Sequence, residues 1–317
     1  MRTQSRLRPL LFALFTFGSL LPMVFAEDQN AYTKHLSHVA NHFDRAHLTI
    51  ADHLNYFVLK NTPYYLGGPL GEGSSGDFDQ DPLFRFDAFD CTTLVETAIA
   101  LGSTSNYQNF SRFLLNIRYE AGIPSYFTRN HFIEIDWVPH NAWLIEDVTE
   151  NLAHKLGFLS PKNISGTIDK SAWFRAKTVN DLVRPDLDLN SKATFLAQWL
   201  QSIPNFPVES VEIPTLSREM LSKPELSRLL WSNVGTNTYI LNIVRPMRTP
   251  LTDYIVTHQA LLLVSLTDGA IVYHASTGDK KVVSLPLSAF VTLMSSRSRF
   301  EGFQILEVRQ NSFRKTP

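Results

Sequence analysis

The chain has 317 residues, with 29 basic and 30 acidic side chains and a formal net charge of −1. A chain this close to neutrality, without a basic stripe, is a poor candidate for a nucleic-acid binder, which needs clustered Lys and Arg. Hydrophobic residues make up 44% of the sequence, enough to bury one large core or two smaller ones.

Residues 1–26 have the pattern of a secretory signal peptide. Three arginines precede an apolar run from Leu10 to Val24, and the residues up to Ala26 suit a signal peptidase. The alternative is a membrane anchor, which needs about 20 apolar residues, and this run is shorter. We therefore predict cleavage after Ala26. The mature chain, 27–317, is expected to be exported, periplasmic or secreted, and not inserted in a membrane.

The first half of the mature sequence is predicted to be mainly helical. Residues 31–60 show helical periodicity without an internal Pro or Gly, so they are expected to form one or two helices. Residues 61–83 are rich in turn residues and predict an irregular loop. Two further helices are predicted over 90–103 and 107–121, where apolar side chains recur at helical spacing and a glycine lies near or past each end.

The C-terminal part changes to a β pattern. Four β-rich segments are bounded by turn residues, namely 238–246, 253–266, 269–276 and 303–310. Thr267-Asp268-Gly269 predicts a hairpin between the second and third segments. Helices followed by antiparallel strands indicate an α+β fold. The middle region, 145–235, has helical pieces at 192–202 and 217–231, and we interpret it as an insertion or elaboration within a single domain.

Cys91 is the only cysteine in the chain. Exported proteins commonly pair cysteines in disulfides, and one cysteine makes no internal bridge. Cys91 follows Asp90, which is placed to cap the predicted helix. A thiol at a helix N-terminus lies near the positive end of the helix dipole and near unpaired N–H groups, which lower its pKa and can stabilise an oxyanion. The pattern predicts a nucleophilic thiolate; a buried structural cysteine is the alternative.

A cysteine nucleophile needs a base, usually a histidine, and a third group that orients the base. His258 and His274 lie in the two segments joined by the predicted hairpin. Antiparallel pairing in a matched register would point both side chains to the same face. We predict that His258 is the base and His274 its orienting partner. For either histidine alone, a hydrogen-bonded core residue is the simpler interpretation.

These segments resemble a known superfamily. FDCTTLVE and THQALLLVSLTDGAIVYHAST are similar to the NlpC-type papain-like hydrolases that cleave bacterial peptidoglycan. In that family an aspartate-cysteine pair opens a helix, and a histidine and a second polar residue follow on two strands. TPYYLGG resembles their P-Y-x-W-G-G element, with Tyr64 at the tyrosine near the active site, while Leu66 and Thr92 depart from the usual residues. The resemblance implies a papain-like fold, with the nucleophile's helix packed on a C-terminal antiparallel sheet.

A closer resemblance is to the N-acetylmuramoyl-L-alanine amidase-like branch of this superfamily. Its D-C-x-T-x-V-E core matches the residues from Asp90 to Glu96, and an I-R-Y-x-x-G step and an R-x-H step follow. The resemblance implies hydrolysis of the amide bond between N-acetylmuramic acid, in its anhydro form, and L-alanine in peptidoglycan fragments. The alternatives are an NlpC-type endopeptidase that cuts within the stem peptide and a non-catalytic cell-wall-binding module.

Other residues of the matched steps are candidates for substrate contact, because muropeptides carry carboxylates and sugar rings. The predicted substrate-binding set is Tyr64, Asp90, Arg118, Arg129, His131 and Trp137. Surface ion pairing of the charged members and core packing of Trp137 are the alternatives.

No metal or organic cofactor is predicted. The five histidines between residues 35 and 53 are expected to form a solvated helical face. Asp77, Asp79 and Asp81 mimic the start of a calcium loop, but Ala88 stands where that loop requires a glutamate, so we interpret them as loop acids.

Overall fold

The computed structural model describes residues 21–43, 47–68, 70–231, 236–248 and 253–309, with side chains from residue 28 onward. Most of the predicted signal peptide therefore lies outside the described residues. Within those ranges, no helix is both long and apolar enough to cross a membrane.

Helices dominate the first half of the described chain, as predicted. The α-helices in the described ranges are α1 Leu21–Phe43, α2 Ile50–Leu59, α3 Cys91–Ser103, α4 Tyr107–Arg118, α5 Val138–His140, α6 Thr149–Lys155, α7 Lys170–Arg175, α8 Leu189–Gln201, α9 Arg218–Leu221, α10 Leu226–Leu229 and α11 Leu287–Ser295. A π-helix, Ile133–Trp137, directly precedes α5. The predicted helices over 90–103, 107–121 and 192–202 are confirmed as α3, α4 and α8.

One antiparallel sheet contains all the strands of the described residues. They are β1 Ile145–Asp147, β2 Lys162–Asp169, β3 Val208–Ser217, β4 Asn237–Val244, β5 Val256–Ser265, β6 Gly269–Ser276, β7 Lys281–Pro286 and β8 Gly302–Val308. The spatial order is β2-β3-β8-β4-β5-β6-β7, and β1 also pairs with β8. The four predicted strands are confirmed as β4, β5, β6 and β8. The middle region does more than pack beside the core, because β1, β2 and β3 belong to the sheet.

The predicted hairpin joins β5 to β6. Leu261 pairs with Tyr273 and Ser265 with Gly269, which has a φ of 74° in the left-handed region that suits glycine at a turn. When this register is continued three residues beyond Leu261, His258 lies opposite Ser276. His274 is two residues from Ser276 on the same strand, so His258 and His274 share one face of the sheet. The shared face of the two histidines was predicted from the sequence and is confirmed.

Each face of the sheet carries a hydrophobic core. On one face, α2, α3 and α4 bury side chains against Leu261, Leu263 and Tyr273. On the other face, helices including α6 and α11 pack against Leu262 and Val272. Alternate residues of β5 therefore enter opposite cores, which explains why this strand is a nearly continuous apolar run in the sequence.

A third, aromatic cluster joins the middle region to the loop that precedes α3. Phe174 of α7 and Trp199 of α8 pack with Phe78 and Tyr126; the Phe78 and Trp199 ring centroids are 4.3 Å apart. Aromatic rings bury large areas, so the cluster fixes the 70–81 segment and the chain around Tyr126 relative to the sheet.

Truncation of this cluster should destabilise the protein. Phe174 is fully buried, and Phe174→Ala should lower the free energy of unfolding by about 3–5 kcal/mol because it leaves a cavity. Urea unfolding measures the loss. The control is Leu189→Ala on α8, where the side chain is exposed and the expected change is within about 0.5 kcal/mol. Equal losses from the two variants would contradict the packing role of Phe174.

Candidate active site

The site begins at the N-terminus of α3, which is capped as the sequence predicted. The Asp90 carboxylate accepts a hydrogen bond from the Thr93 backbone N–H at 2.8 Å. In return, the Asp90 backbone N–H donates to the Thr93 hydroxyl at 2.9 Å. This reciprocal capping box makes Cys91 the first residue of the helix.

A cavity of about 300 Å³ opens at this helix start. Six of the residues predicted for the site line it, namely Asp90, Cys91, Arg118, Arg129, His131 and His258. Gln259, which sequence reasoning did not identify, lines it as well. The structure thus brings the sole cysteine and the predicted base to one cavity, although they are far apart in the sequence.

The surroundings of the half-buried Cys91 thiol favour its protonated form, whereas a helix N-terminus alone favours a thiolate. Burial, together with the nearby Asp90 carboxylate, raises the pKa of the thiol to about 11. The Gln259 backbone N–H and the Thr92 hydroxyl, 3.9 Å from the sulfur, act in the opposite direction. The loss of hydration outweighs the stabilising effect of the helix N-terminus on the thiolate, because too few hydrogen-bond donors replace the lost water.

His258 and His274 form a buried pair. His258 Nε2 and His274 Nδ1 are 3.0 Å apart, and the two rings are nearly perpendicular. Burial and mutual repulsion lower the pKa of His258 to about 3, and burial lowers the pKa of His274 to about 4. Both imidazoles are therefore neutral at neutral pH. His274 packs against Phe290 behind His258 and does not line the cavity.

The start of β5, which carries His258, is held by three contacts. The Ile255 backbone N–H donates to the Glu134 carboxylate at 2.6 Å. Just before it, Arg245 forms a two-pronged ion pair with Asp253 at 2.9 and 2.7 Å. The Gln259 N–H reaches the Cys91 sulfur. Glu134 had no role in the sequence-based site, because nothing in its neighbours reveals a partner 121 positions away.

Trp137 lies in the core and not in the cavity, which corrects its predicted role in substrate binding. The ring is fully buried, and its Nε1 donates to the Glu96 carboxylate at 3.0 Å. Arg118 Nε contacts the other carboxylate oxygen at 3.1 Å. Arg118 Nη1 is buried and has no hydrogen-bond partner among the residues that the structure describes, beside the cavity that Arg118 lines. A buried guanidinium nitrogen of this kind is available to an acceptor on a ligand.

Arg129 is held between two carboxylates. Its Nη1 lies 3.1 Å from Asp79 Oδ2. A Cβ added at Gly68 would meet Arg129 Nη2 at 2.9 Å and Asp90 Oδ2 at 3.0 Å, and the φ of +81° at this position favours glycine. Asp79 is a loop acid, as interpreted from the sequence, and it is buried and paired with Arg129. Burial raises its pKa to about 6 against the effect of Arg129. Glu72 orders this loop by accepting the Asp79 backbone N–H at 2.7 Å.

His131 and Tyr64 are both neutral. Burial and the charge of Arg129 lower the pKa of His131, whose Nε2 contacts the Tyr126 carbonyl oxygen at 2.7 Å. Tyr64 is half-buried and does not line the cavity, but Cys91 and Asp90 are close enough to act on it electrostatically. With burial, they raise the pKa of its phenol to about 12, so the hydroxyl keeps its proton.

The five N-terminal histidines divide into two groups. His38, His42 and His47 are exposed, as predicted, whereas the other two are buried. His35 and His53 are buried between α1 and α2, with His35 Nε2 and His53 Nδ1 3.1 Å apart. Burial lowers the pKa of His35 to about 2 and that of His53 to about 4. In the part of the chain that the structure describes, no three His, Cys, Asp or Glu side chains are grouped as metal ligands.

Comparisons with known proteins agree with the fold. A family model described as "AmiA-like: N-acetylmuramoyl-L-alanine amidase-like" matches residues 57–296. The structure is similar to that of a Legionella pneumophila protein of family DUF1460, with a TM-score of 0.73 and 22% identity over 92% of this chain and 96% of that one. No curated protein sequence matches the chain significantly.

Two other solved structures share the fold at lower similarity. An N-acetylmuramoyl-L-alanine amidase from Bacteroides uniformis has a TM-score of 0.54 and 22% identity over 82% of this chain and 97% of its own. A protein from Bacteroides fragilis described as a putative xylanase has a TM-score of 0.52 and 23% identity over 80% of this chain and 98% of its own. At these identities the likeness concerns the fold alone.

The protonation of Cys91 can be measured by its alkylation. Because the thiol pKa is raised, the rate of reaction with iodoacetamide should be low at pH 7 and should increase with pH beyond the midpoint of a free thiol, about 8.5. The rate is followed by intact mass between pH 5 and 11, with a short cysteine peptide as the control. A rate that reaches its plateau below pH 7 would show a resting thiolate and contradict this description.

Proposed function

Because the chain belongs to the N-acetylmuramoyl-L-alanine amidase-like family, we propose that it is a cysteine amidase of peptidoglycan fragments. Family membership supports a hydrolase that acts on cell-wall material. The bond that we propose is the amide between the lactyl group of N-acetylmuramic acid, in its anhydro form, and L-alanine. One observation carries the cysteine mechanism: Cys91 and His258 line a single cavity, with His274 hydrogen-bonded to Nε2 of His258.

The first step joins the Cys91 sulfur to the carbonyl carbon of the amide. As the C–S bond forms, the thiol proton passes to His258, which is neutral because burial lowers its pKa. Since His258 Nε2 is engaged with His274 Nδ1, His258 Nδ1 is the nitrogen that takes the proton. This requires the tautomer in which His258 Nε2–H donates to His274, so His274 sets the tautomer of the base.

The second step releases the peptide. The tetrahedral oxyanion is stabilised by backbone N–H groups at the start of α3 other than that of Thr93, which the Asp90 cap occupies; the Cys91 N–H is the first of these donors. The hydroxyl of Tyr64, which keeps its proton, is a second candidate donor. When the C–N bond breaks, His258 returns the proton to the leaving nitrogen, and the stem peptide departs with a free L-alanine amine.

Hydrolysis of the thioester completes the cycle. Water attacks the lactyl carbonyl carbon, His258 accepts a proton from the water, and the C–S bond breaks with return of that proton to the Cys91 sulfur. The products are a free lactyl carboxylate and a regenerated thiol. No oxidant or other co-reactant is needed, and the proposal includes no metal or organic cofactor.

The polar wall of the cavity supports an acidic, amide-rich substrate. Arg118 Nη1 lacks a partner, while Arg129 is already paired with Asp79. We assign Arg118 the contact with a substrate carboxylate or carbonyl oxygen, and Arg129 and Asp90 the shaping of the wall around Gly68. A cavity of about 300 Å³ suits a small fragment better than a long glycan strand.

The rest of the proposal concerns fold and location. We infer that 27–317 is a single NlpC-type, papain-like domain, because α3 carries the nucleophile and packs on the sheet that carries the base. We also propose removal of residues 1–26 and export to the periplasm or beyond the cell, where peptidoglycan fragments are found.

Digestion of purified muropeptides tests the bond and the nucleophile together. The wild type should release stem peptide that begins with L-alanine, and Cys91→Ala should release none above the no-enzyme rate. Mass spectrometry identifies the products of anhydro and reducing-end substrates. A cut inside the stem peptide would replace the amidase with an endopeptidase. Binding without turnover, equal in both proteins, would favour a non-catalytic wall-binding module.

Loss of the second histidine should slow the chemical step. His274→Leu removes the partner of His258 Nε2, so kcat should fall by about 100-fold, within the usual range for acid–base catalysis. KM should change little, because His274 does not line the cavity. His274→Gln keeps a polar partner and should retain more activity. An unchanged kcat in His274→Leu would remove His274 from the mechanism.

A further inference from the structure

A row of hydrogen-bonded side chains runs across four neighbouring strands of the sheet, from β5 beside the cavity to β1. Gln259 Nε2 on β5 donates to Asn242 Oδ1 on β4 at 2.9 Å. Asn242 Nδ2 donates to Gln304 Oε1 on β8 at 2.9 Å. Gln304 Nε2 donates to the Asp147 carboxylate on β1 at 2.7 Å. We call these four residues the amide relay. Three strand spacings of about 4.8 Å separate its ends.

The carboxylate at the end of the relay sets its direction. An amide can turn over and exchange its oxygen for its NH₂ group, but an ionised carboxylate can only accept hydrogen bonds. Asp147 therefore requires the NH₂ group of Gln304, which turns the Gln304 oxygen toward Asn242. The Gln304 oxygen then requires the NH₂ group of Asn242, which turns the Asn242 oxygen toward the NH₂ group of Gln259. Each amide consequently points its nitrogen toward Asp147 and its oxygen toward the Gln259 end of the relay, where Gln259 itself lines the cavity.

The last oxygen of the relay has no partner. Gln259 is almost completely buried, and its Oε1 lacks a hydrogen bond within the described residues. Gln259 lines the cavity, and its backbone N–H is near enough to the Cys91 sulfur to lower the pKa of the thiol. A buried carbonyl oxygen without a donor is costly. A ligand with an N–H group at this position would remove that cost.

We propose that Gln259 Oε1 is a specificity-determining acceptor for the N–H of the scissile amide, and that Asp147 fixes its orientation through the amide relay. This inference rests on the proposed function, since it assigns the donor to the amide that Cys91 attacks. The sulfur attacks the carbonyl carbon of that amide, so the N–H bonded to this carbon is the substrate donor nearest to Gln259. Esters lack this donor, and the relay therefore selects amides over esters.

Binding to an inactive protein tests the acceptor without turnover. Cys91→Ala should bind the intact amide substrate about ten-fold more tightly than the ester in which oxygen replaces the scissile N–H, because the ester leaves Gln259 Oε1 unpaired. The double variant Cys91→Ala, Gln259→Met should bind the two ligands equally. Calorimetry measures both preferences. An unchanged preference for the amide in the double variant would overturn the proposal.

Steady-state kinetics test the remote end of the relay in the otherwise unaltered protein. Asp147→Asn removes the carboxylate that fixes the orientation of the side-chain amides in the relay. KM for the amide substrate should therefore increase about three-fold or more, with little change in kcat. Glu146→Gln is the matched control, because Glu146 is the neighbouring acid on β1 and lies outside the relay; its KM should equal the wild-type value. Equal KM values in both variants would overturn the role of Asp147.

Two further measurements separate this inference from folding effects and from the function itself. Thermal unfolding of each variant shows whether the fold persists. The alkylation rate of Cys91 in Gln259→Met should match that of the wild type, because the backbone N–H at the sulfur is retained. If the wild type cleaves no muropeptide, the proposed function fails; if it does but the variants behave like the wild type, only the relay fails.

Discussion

The Gln259 backbone N–H lies close enough to the Cys91 sulfur to lower the pKa of the thiol, and this proximity joins the first turn of α3 to the beginning of β5. Other interactions keep these two segments in place. Asp90 caps the helix from one side, and Glu134 holds the backbone at Ile255 from the other. The proposed nucleophile, Cys91, lies at a local helix cap, whereas the proposed base, His258, lies on a strand that enters the sheet more than 160 positions later. The site therefore exists only when the sheet is assembled.

Burial governs the electrostatics of this junction. Buried charged side chains near the cavity form ion pairs, as Glu96 does with Arg118 and Asp79 with Arg129. Such pairing is expected because an isolated buried charge is costly. The thiol and the imidazole of His258 are instead neutral. In the proposed mechanism, charge develops only during the reaction, when the proton moves from the Cys91 sulfur to His258 and the helix N–H groups stabilise the new oxyanion.

Features with local causes could be predicted from the sequence. The Asp90 cap and the hairpin between β5 and β6 depend on neighbours in the chain, and both are confirmed. Features that depend on distant packing could not. The burial of Trp137 and the pairing of Asp79 require partners from other elements. β2 and β3 were missed because largely exposed, polar strands leave a weak sequence pattern, and only their pairing with each other and with β8 defines them.

The most direct test of the proposed mechanism is the mass of the acyl-enzyme. Rapid mixing with an anhydro-muropeptide, acid quench and intact mass spectrometry should show a transient adduct on Cys91 that equals the muramoyl group without its peptide. That mass requires both the cysteine nucleophile and cleavage at the lactyl amide. An adduct that carries a peptide acyl group, or turnover by Cys91→Ala without any adduct, would contradict the mechanism.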